Sequence, residues 1–132
     1  MTTELRGEPV TVSSMDPALG YGEFELANDG GDPVAARVAE AWLELGDERQ
    51  PLAEFSLYDV SAEQSVEGDE IEVGGGATLR FTLGFPRVRV AGPSLSRVGV
   101  GARVVADGDD LEAVSPVRLE RRMPRLADDN IA

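Results

Sequence analysis

From Ala77 to Phe85 the apolar residues Ala77, Leu79, Phe81, Leu83 and Phe85 alternate with Thr78, Arg80, Thr82 and Gly84. Successive side chains of a strand point to opposite faces, so this period of two predicts a half-buried β-strand. Pro86 follows directly and argues against a simple continuation as a central strand. The same period returns in Val98, Val100, Ala102, Val104 and Ala106. After Asp107-Gly108-Asp109, a hairpin-type turn, it continues in Leu111, Ala113, Ser115, Val117 and Leu119. Earlier in the chain Phe24 and Leu26 point one way, and Glu23 and Glu25 the other. Val10 with Val12, Phe55 to Val60, and Ile71 with Val73 add short strands.

Turn signals separate these runs: Asn28-Asp29-Gly30-Gly31, Gly46-Asp47-Glu48, Glu67-Gly68-Asp69, Gly74-Gly75-Gly76 and Gly92-Pro93. Many short strands with regular turns in 132 residues predict an all-β chain. The expected architecture is an immunoglobulin-like antiparallel β-sandwich of about seven strands. Residues 1–122 are expected to form it, and 123–132, which show no periodicity, to be a flexible C-terminal tail. The stretch FELANDGGDPVAARV, from Phe24 to Val38, resembles the start of many prokaryotic Ig-like adhesion or accessory domains, in which an Asn-x-Gly turn joins two early strands. The chain has no cysteine, so the resemblance is to the architecture and not to antibody domains.

Val34 to Leu45 supports two readings. Asp32 as N-cap, Pro33 at the first helical position and Gly46 as the stop would suit a helix. As a strand, Ala41, Leu43 and Leu45 face one way, and Val38 and Trp42 the other. Its place between strands selects the strand, because tertiary context overrides local propensity.

The chain contains no Cys and no His, and all twelve of its basic residues are Arg. Disulfides, thiolate–zinc sites, cysteine nucleophiles, imidazole bases, Schiff-base lysines and P-loop lysines are thereby excluded. Carboxylate pairs remain, but among twenty-five acids some pair always looks plausible, and no Asp-Thr-Gly or Asp-Ser-Gly motif is present. Ser13, Ser14, Ser56 and Ser94 have no base to activate them. The expectation is no catalytic, cofactor or metal site. The loops Asn28-Asp29-Gly30-Gly31-Asp32 and Asp107-Gly108-Asp109-Asp110 offer hard oxygen ligands, so a divalent-metal or ligand-binding module is the alternative reading. Hairpin turns want the same residues, and neither loop follows the EF-hand spacing. Gly74-Gly75-Gly76 opens a strand where a phosphate-cradling loop opens a helix, and reads as a flexible turn.

The net charge of −13 repels itself in ordinary buffer. At molar salt the Debye length is about 3 Å and the repulsion is screened. Extreme acidity without lysine resembles the proteins of salt-in halophiles, haloarchaea above all. An acidic protein from a GC-rich mesophile would share the bias to Arg, Ala, Gly and Val. The melting temperature is expected to fall when KCl is lowered from molar to millimolar, and an unchanged value would overturn the halophilic reading.

The charge is unevenly divided. Residues 1–75 hold three Arg and eighteen acids, and residues 76–132 nine Arg and seven acids. From Val73 to Ala106 there is no carboxylate, while Arg80, Arg87, Arg89, Arg97 and Arg103 fall within that stretch. These five are the candidate partner-binding residues, because an acid-free surface does not repel an acidic partner, including a second copy of the chain. The competing reading is that they pair with acids on neighbouring strands. Arg118, Arg121, Arg122 and Arg125 form the other basic cluster. Nucleic acid is a poor partner for so acidic a chain, since phosphate contacts need positive surface and weaken steeply in salt.

The N-terminus MTTELRGEPV lacks an apolar segment of signal-peptide type, and no apolar run is long enough to span a membrane. The expected role is a non-catalytic protein–protein interaction or structural accessory module of a halophile or its virus. The expected location is the cytoplasm or a larger assembly such as a virion.

Overall fold

The alternating runs are strands in the computed structural model, which describes residues 3–13, 18–89 and 98–120. In chain order the strands are β1 (Thr3–Glu8), β2 (Val10–Ser13), β3 (Ala18–Asn28), β4 (Val34–Leu45), β5 (Glu48–Pro51), β6 (Ser56–Asp59), β7 (Gln64–Val66), β8 (Glu70–Val73), β9 (Thr78–Arg89), β10 (Val98–Ala106) and β11 (Asp109–Glu120). The first sheet has the order β1-β3-β9-β6-β7; the second has β2-β11-β10-β4-β5, with β8 also on β4. Neighbours are antiparallel except β2, which runs parallel to β11. The protein is an all-β, immunoglobulin-like sandwich.

Its core is the layer between the sheets. Leu19, Phe24 and Leu26 of β3 and Leu79, Phe81 and Leu83 of β9 come from the first sheet. Val98, Val100, Ala102, Val104 and Ala106 of β10 face them from the second, with Val34, Ala36, Val38, Ala41 and Leu43 of β4. Phe24 and Phe81 stack with ring centroids 5.5 Å apart. Burying each large side chain contributes roughly 2 kcal/mol. The Asp107-Gly108 hairpin has positive φ at both positions, 51° and 84°, as the right-handed twist of the flanking strands demands.

Three local readings are corrected. Val38 shares the core face with Ala41 and Leu43, because a bulge lies between them: Arg103 pairs with Glu40 and Val104 with Val38, which leaves Ala39 over. One extra residue flips the alternation, so Trp42 alone faces outward. Pro86 does not end β9. It sits in a second irregularity, where Gly84 pairs with Tyr21 and Val88 with Leu19, and β6 has already stopped opposite Gly84. A proline there forfeits no ladder bond to β6. The turn at Gly74-Gly75-Gly76 is not loose: Gly76 N–H donates to Gly30 O at 2.8 Å. The described residues contain no helix, hence none long and apolar enough to cross a membrane.

Candidate interaction surface

Each sheet has one outer face. On the outer face of the second sheet, Trp42 of β4 lies against Gly101 of β10. A Cβ at Gly101 would fall 2.2 Å from the indole, so the missing side chain is what lets the ring lie flat. Trp42 Nε1 donates to Glu44 Oε2 at 2.8 Å, and the Arg49 guanidinium covers the ring at 4.4 Å. Arg49 reaches on to Glu44 at 3.2 Å and Glu112 at 3.5 Å. Arg103 is forked between Asp110 at 2.8 Å and Glu40 at 3.0 Å. Its hydrogen bonds to Asp110 and Glu40 raise its pKa above the ordinary arginine value. Arg37 faces Asp69 at 3.8 Å. Arg37, Arg49 and Arg103 are thus spent on carboxylates of this face and its edge.

The outer face of the first sheet is more open. Tyr21 on β3 pairs with Gly84 on β9, which pairs in turn with Ser56 on β6. Tyr58 on β6 pairs with Thr82 on β9, which pairs with Glu23 on β3. Both tyrosines of the chain therefore stand on one face, 40% and 41% exposed. Sheet spacing puts their Cα atoms about 12 Å apart. Gly84 and Ser56 line a shallow cleft that reaches Gly20, Glu54, Phe55 and Pro86. Arg80 lies on this face and pairs with Glu25 at 3.4 Å. Val88 packs against the core, so its neighbours Arg87 and Arg89 turn outward on the same side.

The five candidate arginines are thus not one cluster. Arg80, Arg87 and Arg89 share the outer face of the first sheet, Arg103 sits on the opposite face, and Arg97 lies outside the described residues. In the other basic cluster, Arg118 is exposed on β11, while Arg121, Arg122 and Arg125 lie outside the described residues. The tyrosines are what the sequence reading missed. Their signal was present: Tyr21 and Tyr58 sit at polar-side positions of strands in an aromatic-poor chain.

The two acidic loops have structural uses. Asn28 Oδ1 accepts the Gly30 N–H at 2.9 Å, and its amide nitrogen donates to Asp32 O at 2.8 Å. Asp107-Gly108 forms the β10–β11 hairpin, and Asp110 holds Arg103. Among the described residues no three acidic side chains converge as a metal site would require.

No known protein family and no curated relative matches the sequence. Similar folds occur among solved structures. One is the E. coli chaperone DraB, with 12% identity, a TM-score of 0.42, and 86% of this chain covering 54% of that one. Another is the Salmonella enterica SafA pilin in complex with the SafB chaperone, with 10% identity, a TM-score of 0.44, and 96% of this chain covering 60% of that one. The bacterial hydrophobin BslA shows 13% identity and a TM-score of 0.44, over 92% of this chain and 98% of that one. The chain spans little more than half the length of the first two. Likeness at this level bears on no functional question.

Proposed function

We propose that this domain is a non-catalytic protein–protein interaction or structural accessory module built for high salt. Its contact surface is the outer face of the first sheet. One observation carries the reading: both tyrosines stand exposed on that face, while Trp42, Phe24, Phe81 and Phe85 are buried. Tyrosine offers a large contact area and a hydrogen-bonding tip at low entropic cost, and it is enriched where proteins meet. Arg80, Arg87 and Arg89 frame the patch, and Arg is the cation best suited to bidentate pairing with a partner's carboxylates. A chain without His, Cys or Lys supports catalysis poorly, and composition favours an accessory subunit of a halophilic cell or of a virion.

The test is the size of the native complex in extract of the source cells, in molar KCl. Wild-type protein is expected to migrate as an assembly larger than one chain. The double variant Tyr21→Ser, Tyr58→Ser should keep its melting temperature, since both side chains are surface positions, and should migrate as a single chain. Survival of the large species in the variant would overturn the reading.

A further inference from the structure

Aspartate is followed by glycine at two places, Asp29-Gly30 and Asp107-Gly108. That dipeptide is chemically reactive, because glycine has no Cβ to shield its nitrogen from the preceding side chain. The glycine nitrogen bonds to the aspartate Cγ, and its proton leaves with the carboxyl hydroxyl as water. The product is a five-membered succinimide. Water then adds to one of the two imide carbonyls and breaks its C–N bond. One choice restores aspartate; the other gives isoaspartate, in which the main chain runs through the side-chain carbons and the α-carboxylate is free.

The attack requires the peptide between the two residues to rotate until its nitrogen meets Cγ, and the fold treats the two sites oppositely. At Asp29-Gly30 the peptide is locked. Gly30 is buried, its N–H donates to Asn28 Oδ1 at 2.9 Å, and its carbonyl accepts the Gly76 N–H at 2.8 Å. Rotation there breaks buried hydrogen bonds. At Asp107-Gly108 both residues are exposed, and a Cβ on Gly108 would stand in open space. Among the described residues no hydrogen bond or ion pair engages the Asp107 carboxylate or the Gly108 N–H. Asp107 has a φ of 51°, which an L-residue holds only at a cost. Rotation at this tip disturbs the closing pair of Ala106 with Asp109, and exposed hairpin ends open most readily.

We propose that Asp107 is a site of spontaneous covalent modification, converting through a succinimide to isoaspartate, while the Asn28 turn protects Asp29 from the same reaction. The consequence reaches beyond the tip. Isoaspartate adds one atom to the main chain of a two-residue turn whose length sets the pairing of β10 with β11. Asp110 meets Arg103 at 2.8 Å only in that register, whereas Glu40, which holds Arg103 at 3.0 Å, lies on β4 and is untouched. Modification therefore leaves Arg103 on Glu40 alone and loosens the end of the second sheet. The freed α-carboxylate at an exposed tip is the group that an isoaspartate-specific methyltransferase esterifies.

Warm incubation of the purified chain in molar KCl at mildly acidic pH tests this. Trypsin then separates the two sites, Asp29 in residues 7–37 and Asp107 in residues 104–118. Isoaspartate in each peptide is read by labelling with that methyltransferase. In the folded protein the label is expected to accumulate in 104–118 about tenfold faster, or more, than in 7–37. The same incubation in denaturant, where the two dipeptides are alike, should bring the rates together. Asp107→Glu, which has no five-membered ring to close, should abolish the label in 104–118. Folded protein unlabelled there, while the denatured chain is labelled, overturns Asp107 as a site. Equal rates in the folded protein overturn protection by the Asn28 turn, and rates that stay apart in denaturant overturn the fold as its cause. Label that survives Asp107→Glu overturns the assignment to this residue.

Discussion

Asn28→Ala is expected to destabilise the fold by about 3 kcal/mol, read as a lowered denaturant midpoint in molar KCl with an unchanged slope. Asn28 is 2% exposed and ends β3 where the chain leaves the first sheet for the second. Its amide nitrogen donates to Asp32 O at 2.8 Å and Gly74 O at 3.2 Å, with Val73 O at 3.4 Å. Its side-chain oxygen accepts the Gly30 N–H, and its backbone N–H donates to Ala77 O at 2.9 Å. One buried amide thus closes its own turn and ties it to the turn where the chain returns from β8 to β9. Alanine leaves the buried Gly30 N–H and the carbonyls without that partner, at about 1–3 kcal/mol for each buried group left unsatisfied. Total stabilities of about 5–15 kcal/mol make that a large loss.

Asn28→Asp separates this account from simple loss of volume. The new carboxylate would face carbonyl oxygens in a buried site, so its folded-state pKa would rise above the unfolded value. A raised folded pKa means that stability is present below the unfolded pKa and lost as pH rises through the folded one. Relative to Asn28→Ala, the aspartate variant should therefore gain stability as pH falls. An Asn28→Ala change of less than about 1 kcal/mol, or an aspartate variant without that pH trend, would count against the turn-tying role.

The strands legible in the sequence are those buried on one face and solvated on the other. The alternations in β9 and β11 satisfy that condition, and β10 shows its period in sequence although Gly99 and Gly101 on its other face are buried as well. β1 did not show, because TELRGE offers Leu5 as its one buried apolar side chain, and the exposed edge strand β5, ERQP, has none. The direction of Val38 and Trp42 could not be read, because a one-residue bulge reverses every later side chain and leaves no compositional mark. The candidate site failed for another reason. Nearness in sequence suggested that Arg80 and Arg103 act together, yet β9 and β10 are central strands of different sheets. The acid-free stretch from Val73 to Ala106 contains those two strands. Arg80 and Arg103 draw their carboxylates from neighbours: Glu25 on β3, Glu40 on β4 and Asp110 on β11. The missing acids on β9 and β10 thus reflect sheet position as much as a partner.

Gly7→Ala is expected to cost still more, about 3–5 kcal/mol, with loss of amide protection along the β1–β3 ladder. Here the first strand passes from one sheet to the other: β1 pairs with β3, Pro9 interrupts, and β2 joins β11 in parallel. At the crossing the two backbones touch. A Cβ at Gly7 would stand 2.0 Å from Val114 O and 2.3 Å from its carbonyl carbon. The obstacle is backbone, so no side chain can rotate away, and β1 must move by more than about 1 Å. That movement breaks a second tie. The fully buried Ser115 hydroxyl donates to Glu8 O and accepts the Glu23 N–H at 3.1 Å, fastening β11 to both β1 and β3. Ser115→Ala removes this tie without a clash and should cost about 1–2 kcal/mol. The order of the two effects is the decisive measurement. A Gly7→Ala protein as stable as Ser115→Ala would mean that the hydroxyl, and not the bare backbone contact, holds the sheets together at this corner.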